Sequence, residues 1–257
     1  MCGAAPVSSD RMNEPESTEY GNQFIVNDRL EAGRLIAQKL RGRSLRDAFV
    51  LAIPRGGVVL GYEIAETIGA ELDIVTPRKL VDPYEPELAI GAVMPDGTVF
   101  INEAVIAARK IQDKYVSEER ARCMKEAIRR LREYRGGMPH PEIRGRLVLL
   151  VDDGIATGAT IIAAARWVRN EGAARVVIAV PFVPSETARL VRNKCDELVC
   201  IGMPESFMAV SQFYREFPEV TDKEVIGLLG AYRSAHGSRP KHGLTAPYAT
   251  PSPIQPR

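Results

Sequence analysis

The stretch that most constrains the fold of this 257-residue chain is Leu147 to Thr160, LVLLVDDGIATGAT. Its first five residues are apolar without a break, the pattern of a strand buried on both faces of a parallel sheet. Two adjacent carboxylates, Asp152 and Asp153, stand at the carboxyl end of that strand. A short loop, Gly154 to Thr157, then leads to Gly158, Ala159 and Thr160, which open a helix. In open α/β sheets, ligands bind beyond the carboxyl ends of the strands. A loop entering a helix N-terminus aims free amide N–H groups at an anion, and the helix dipole favours negative charge there. Gly154 and Gly158 let the backbone approach closely, and Thr157 and Thr160 add hydroxyl donors. The loop suits a phosphate. The two aspartates would repel a phosphate that touched them. One step away they can accept hydrogen bonds from sugar hydroxyls or hold water on a Mg²⁺ ion. A phosphorylated sugar satisfies all these groups together. Paired acids at a buried strand end cost repulsion and desolvation, so an ordinary capped turn is the poorer reading.

The same alternation runs along the chain. Asn27 or Asp28 can cap a helix to Leu40, stopped by Gly42, with Leu30, Ile36, Ala37 and Leu40 on one apolar face. Ala48 to Ile53 reads as a buried strand broken by Pro54-Arg55-Gly56-Gly57, and a helix from Val58 to Ile68 follows. Leu72 to Thr76 is a second strand, ending at Pro77-Arg78-Lys79. Residues 80–112 read as a mobile loop and a β-hairpin turning at Pro95-Asp96-Gly97. A long helix spans about Ser117 to Tyr134. Later come a helix at Ala159 to Asn170, strands at Arg175 to Val180 and Glu197 to Ile201, a helix capped by Ser185, and a terminal helix from Asp222. These signals predict an α/β fold: an open, mostly parallel, doubly wound sheet with a small hood, a hairpin and a long helix inserted. The expected domain is 23–233, with its hood and flexible loop at about 80–140. The acidic stretch 1–22 and the proline-rich stretch 234–257 are expected to be flexible tails.

Several function classes drop out. No Gly-x-x-x-x-Gly-Lys, Gly-x-Gly-x-x-Gly, Gly-x-Ser-x-Gly or His-Glu-x-x-His occurs. The 34 basic and 33 acidic residues leave a net charge of +1, against a dedicated nucleic-acid binder. The arginines of 117–135 interleave with Glu118, Glu119, Glu126 and Glu133, so a salt-bridged helix face is the better reading than a nucleic-acid stripe. No apolar run is long enough for a membrane span, and the first residues lack the apolar core of a secretory signal. Cys195 and Cys200 form no Cys-x-x-Cys pair; reduced thiols in a cytoplasmic protein are expected. Trp167 should pack on the sheet. Phe207, Phe213, Tyr214 and Phe217 read as core or lid packing rather than a base-stacking platform.

The 147–160 segment resembles the phosphoribosyl pyrophosphate signature of type I phosphoribosyltransferases. Ile53-Pro54-Arg55-Gly56-Gly57 resembles that family's pyrophosphate loop, and Thr76-Pro77-Arg78-Lys79 the basic strand end before its flexible catalytic loop. The three elements follow the family's order. The span 24–230, with its Pro-Glu-Leu-Ala-Ile-Gly-Ala-Val stretch (86–93), is similar to uncharacterised members of bacteria and archaea. The resemblance implies displacement of Mg-bound pyrophosphate at the anomeric carbon by a nitrogen nucleophile, usually a base. It implies that Ala156, Thr157, Gly158, Ala159 and Thr160 hold the 5′-phosphate, and that Asp152 and Asp153 face the ribose hydroxyls and meet Mg²⁺ through water. Arg55, Gly56 and Gly57 would meet the pyrophosphate, with Arg78 and Lys79 neutralising the leaving group. Residues 182–184 lie where relatives contact the base, and homodimers are common in the family. One departure stands out. Purine-using relatives with a general-base aspartate carry it at the position of Ala156, so Glu85 and Glu87 of the loop become the acid–base candidates. A non-catalytic sensor of phosphoribosyl pyrophosphate or a nucleotide is the competing function. Such regulators usually add a winged-helix domain or a basic face, which this sequence does not display. A hydrolase or phosphorylase acting on a phosphoribosyl compound is a third, weaker reading.

Overall fold

The computed structural model describes residues 25–237 apart from 44, 46 and 139. The expected tails lie almost wholly outside them. Five strands form a parallel sheet in the order β2-β1-β6-β7-β8. They are β1 (Phe49–Ala52), β2 (Glu71–Ile74), β6 (Leu147–Val151), β7 (Arg175–Phe182) and β8 (Glu197–Gly202). Their apolar runs are read alternately by two cores. Val50, Ala52, Leu149, Val151, Val177 and Ala179 face one side. There they meet α1 (Arg29–Leu40), α2 (Gly56–Ile68) and α7 (Asp222–His236). Phe49, Leu51, Val148, Leu150, Val176 and Ile178 face the other side, against α5 (Ala159–Asn170) and α6 (Ser185–Arg192). Burial on both faces is why these strands show no polar alternation.

A second sheet is antiparallel, in the order β3-β4-β5: Arg78–Val81, Ala89–Val93 and Val99–Ile101. It contains the expected hairpin, β4 and β5 turning at Pro95–Gly97. What differs is the loop before it: β3 runs from Arg78 to Val81 with Leu80 fully buried, which shortens that loop to 82–88, and a short helix follows the hairpin. The loop is anchored by Asp82, whose buried carboxylate accepts from Tyr84 N at 2.7 Å, Glu85 N at 3.1 Å and Arg109 Nε at 2.9 Å. A short α3 (Glu103–Arg109) and the long α4 (Asp113–Arg135) cover this sheet through Ile111 and Cys123. The α4 arginines pair along the helix as expected, Arg129 with Glu126 and Glu133 and Arg130 with Glu126. Arg135 departs from that face. It is buried and pairs with Asp73 at 2.9 Å.

Smaller differences follow from local chemistry. Leu30 is exposed, and Arg29 takes a place on the buried face of α1. α7 begins at Asp222 as expected, capped by Thr221 with Glu224 completing a capping box, and runs past 233 to His236. Pro184 stands at the cap of α6, while the Ser185 hydroxyl donates to Met203 O at 2.9 Å. Trp167 is buried in the α5 core as expected. No described helix is long and apolar enough to cross a membrane.

His140 packs on Trp167 with ring centroids 5.0 Å apart. Burial, then the nearby Arg135 charge, pull its pKa from 6.5 down to about 4. The folded pKa lies below the unfolded one, so the neutral ring's contribution is present above pH 6.5 and lost as pH falls through 4. Each pKa unit is worth about 1.4 kcal/mol, so the loss is on the order of 3–4 kcal/mol at most. Denaturant titrations across this range should show a shallower decline for His140→Gln than for the wild-type chain; parallel profiles would refute the assignment.

Candidate active site at the β1/β6 switch point

The crossover from β1 through α2 to β2 and that from β6 through α5 to β7 run to opposite sides of the sheet. Adjacent strands β1 and β6 therefore form a topological switch point, where the loops beyond them part and leave a crevice. The Pro54–Gly57 loop lies on one side of it, and the Asp152–Gly158 loop on the other.

The two loops are in direct contact. A Cβ on Gly56 would overlap Asp153 Oδ2, and one on Gly57 would stand 2.8 Å from Val151 O and 2.9 Å from Asp152 Cα. Only glycine fits in either place. Ile53 N donates to Val151 O at 2.8 Å, which extends the β1/β6 pairing to the edge of the crevice. The Pro54–Arg55 peptide is cis. Arg55 reaches outward to Glu219 and lies 3.8 Å from Asp222.

The acidic pair is asymmetric. Asp152 Oδ1 accepts from Asp153 N at 2.9 Å. Burial, then the adjacent Asp153 charge, push the Asp152 carboxyl well above the ordinary carboxylate range. Asp153 instead has a cation, Arg29 Nε, 2.8 Å from its Oδ2. Its backbone O accepts from Tyr214 OH at 2.6 Å.

Beyond the acids, Gly154 has no room for a side chain because Val210 closes on it. Ile155 N donates to Phe182 O at 2.9 Å. Ala156 and Thr157 are exposed at the loop tip. Gly158 turns the chain at φ 80°, a left-handed value that leaves the first amides of α5 facing out of the loop. Thr187 Oγ1 donates to Ala156 O at 2.8 Å and braces the loop from α6. An exposed tip on a braced base, ahead of a helix N-terminus, has the geometry that can receive an anion.

The remaining candidates sit on the small sheet. Arg78 is half-buried on β3, and its Nε has no hydrogen-bond partner among the described residues. Desolvation and then the Arg130 charge lower its pKa, an environment that an arriving anion would relieve. Lys79 is exposed, while its backbone O accepts from Cys123 Sγ at 3.1 Å. Glu85 lies 3.3 Å from Arg109 Nη2, the hood salt bridge that competes with an acid–base role. Glu87 is exposed.

Sequence reasoning missed Arg29, Tyr214, Thr187, Glu219 and Asp222. For Arg29 a signal existed, an arginine in register with Gly33, Ile36 and Leu40 on the buried stripe of α1. The others come from distant segments, and no local pattern marks them. The aromatic cluster turns out to support the site. Phe182 stacks on Phe213 at 4.9 Å, Tyr214 reaches Asp153, and Phe217 lies under Arg29.

The model of the phosphoribosyl transferase domain matches residues 26–218. The chain belongs to the phosphoribosyl transferase domain family. Two Mycobacterium tuberculosis proteins, from strains CDC 1551 / Oshkosh and ATCC 25618 / H37Rv, carry the provisional name phosphoribosyl transferase. Each is 38% identical to this chain over 205 residues, which is 80% of this chain and 46% of theirs. The phosphoribosyl transferase domain here thus spans about half the length of those relatives. A crystal structure of a Thermus thermophilus protein, TT1426, aligns with a TM-score of 0.69 and 39% identity, covering 81% of this chain and 99% of that one.

Proposed function

We propose that this phosphoribosyl transferase domain moves the phosphoribosyl group of phosphoribosyl pyrophosphate to a nitrogen acceptor, a nucleobase being the first class to test, and releases pyrophosphate. The observation that carries this reading is the side-chain-free contact of Gly56 and Gly57 on the Asp152/Asp153 pair, next to an anion-ready helix N-terminus. A sugar bearing phosphate at one end and pyrophosphate at the other matches that layout. Phosphate would sit at Ala156 to Thr160, hydroxyls at the acids, and pyrophosphate against the backbone of Arg55 to Gly57.

No group of three or more metal-ligating side chains occurs among the described residues. Mg²⁺ does not need one. It keeps several waters and takes one or two carboxylates together with substrate oxygens, which Asp152 and Asp153 suit. When bound there it would supply charge neutralisation for the leaving pyrophosphate. The chain's own share is positioning and electrostatics. The α5 amides fix the sugar's phosphate end. Arg55 exchanges Glu219 for a phosphoryl oxygen. Arg78 and Lys79 approach the charge that develops as the C–O bond to pyrophosphate breaks. Ala156 supplies no proton acceptor, so the base falls to Glu87 or to a nucleophile already deprotonated.

The acceptor is found by screening nucleobases and amines for pyrophosphate release in the presence of Mg²⁺. Release with no candidate, despite tight binding of phosphoribosyl pyrophosphate, would favour the sensing role. Within this reading, Arg78→Ala is expected to lower kcat about 100-fold while the affinity for ribose 5-phosphate stays within about threefold, because its charge acts on the leaving group. Lys79→Ala should show the same split, less steeply. Equal losses of turnover and ribose 5-phosphate affinity would mean that both residues only position ligand.

A further inference from the structure

The proposed ligand is a polyanion, yet the crevice presents two carboxylates to it. Arg29 lies against one of them. It is 8% exposed, its Nε is 2.8 Å from Asp153 Oδ2, and its Nη1 donates to Pro218 O at 2.7 Å. Its guanidinium carbon stands 3.6 Å over the Phe217 ring. The chain before it is pinned as well. Asp28 caps α1, and Val26 pairs with the strand-like segment at Tyr214 through Val26 N to Phe213 O at 3.0 Å and Arg215 N to Val26 O at 2.9 Å. Arg29 is thus held by stacking, by a carbonyl and by its own helix. A charge buried merely for packing would be costly where an apolar side chain would serve.

We propose that Arg29 is a positioning residue of the ligand site: it neutralises Asp153 and fixes its carboxylate beside Gly56, so that an anionic phosphoribosyl ligand can approach the acidic pair. This rests on the phosphoribosyl pyrophosphate reading. It assigns unequal work to the two aspartates. Asp153 is the structural acid, committed to Arg29, and Asp152 is the one left for the ligand.

The test uses the full chain with Arg29→Met and with Arg29→Met/Asp153→Asn. Each is titrated calorimetrically with phosphoribosyl pyrophosphate and, separately, with Mn²⁺ alone. Removing one positive charge within a few ångströms should weaken the polyanion about tenfold or more and tighten Mn²⁺ about tenfold. Adding Asp153→Asn should return both towards wild type. A purely structural role would weaken both ligands, so the opposite signs are diagnostic. Unchanged or weaker Mn²⁺ binding in Arg29→Met overturns the proposal. If Arg29→Met does not fold, Arg29→Lys replaces it. That variant keeps the charge but loses the planar stack on Phe217, so its Mn²⁺ affinity should stay within about threefold of wild type, and a tenfold tightening of Mn²⁺ overturns the proposal. A wild-type chain that fails to bind phosphoribosyl pyrophosphate overturns the ligand reading, while the Mn²⁺ arm still decides for or against Arg29.

Discussion

Asp152→Asn is expected to lower the affinity for phosphoribosyl pyrophosphate about 30- to 100-fold without lowering the melting temperature. The first effect follows from losing a carboxyl that can ionise against a bound metal–ligand complex and then serve as a charge-assisted acceptor for a sugar hydroxyl or a metal-bound water, worth about 1.5–3 kcal/mol. The second follows from the environment of the carboxyl. Burial and the neighbouring Asp153 already oppose its ionisation, and an amide oxygen can still accept from Asp153 N. The same substitution one residue later should behave differently. Asp153→Asn leaves Arg29 buried without its counter-charge, so it should lower stability by about 1–3 kcal/mol. Thermal unfolding and calorimetry on the two variants check both halves. Equal losses of stability at both positions would show that the pair is not divided in this way.

Gly57→Ala should strongly impair turnover through a single added methyl. Its new Cβ would stand 2.8 Å from Val151 O and 2.9 Å from Asp152 Cα. Both are backbone atoms at or just past the end of a central strand, so relief must come from a shift of the first turn of α2. A displacement of the order of 1 Å at a positioning loop can cost about 100-fold in rate, which is the loss expected in kcat/KM. Gly227→Ala is the matched control, because a Cβ there meets nothing within 4 Å on the exposed side of α7. It should raise helix stability by about 0.5–1 kcal/mol and leave turnover alone. Comparable activity in the two variants would contradict the close-packed loop.

How far the sequence could be read depended on the range of the interactions. The parallel core was legible because each strand is buried on both faces and so reads as an unbroken apolar run, as in Leu147 to Val151. The shape of the 154–158 loop was legible because glycines mark where backbone must come close, as at Gly154 and Gly158. The first strand of the hood was misread. Arg78 to Val81 looked like a strand end followed by a mobile loop, whereas Leu80 turns inward between Arg78 and Val81 and pairs the segment with β4. The buried stripe of α1 marks Arg29 as facing inward, but no local rule names Asp153 as its partner or marks Tyr214 for the acidic pair. Arg29 and Tyr214 reach Asp153 across 124 and 61 positions of chain. Asp82 likewise looked like one polar residue in a polar loop, until Arg109 and two backbone amides were seen to converge on it.

The most direct test of the central claim is a calorimetric titration of the chain with phosphoribosyl pyrophosphate, with and without Mg²⁺, beside ribose 5-phosphate. The account predicts saturable binding that Mg²⁺ strengthens and that exceeds the affinity for ribose 5-phosphate at least about tenfold, one extra set of charged contacts being worth about 1.4 kcal/mol or more. Equal affinity for the two ligands, or no binding of either, would contradict the assignment of the Arg55–Gly57 loop and the acidic pair to a phosphoribosyl pyrophosphate site.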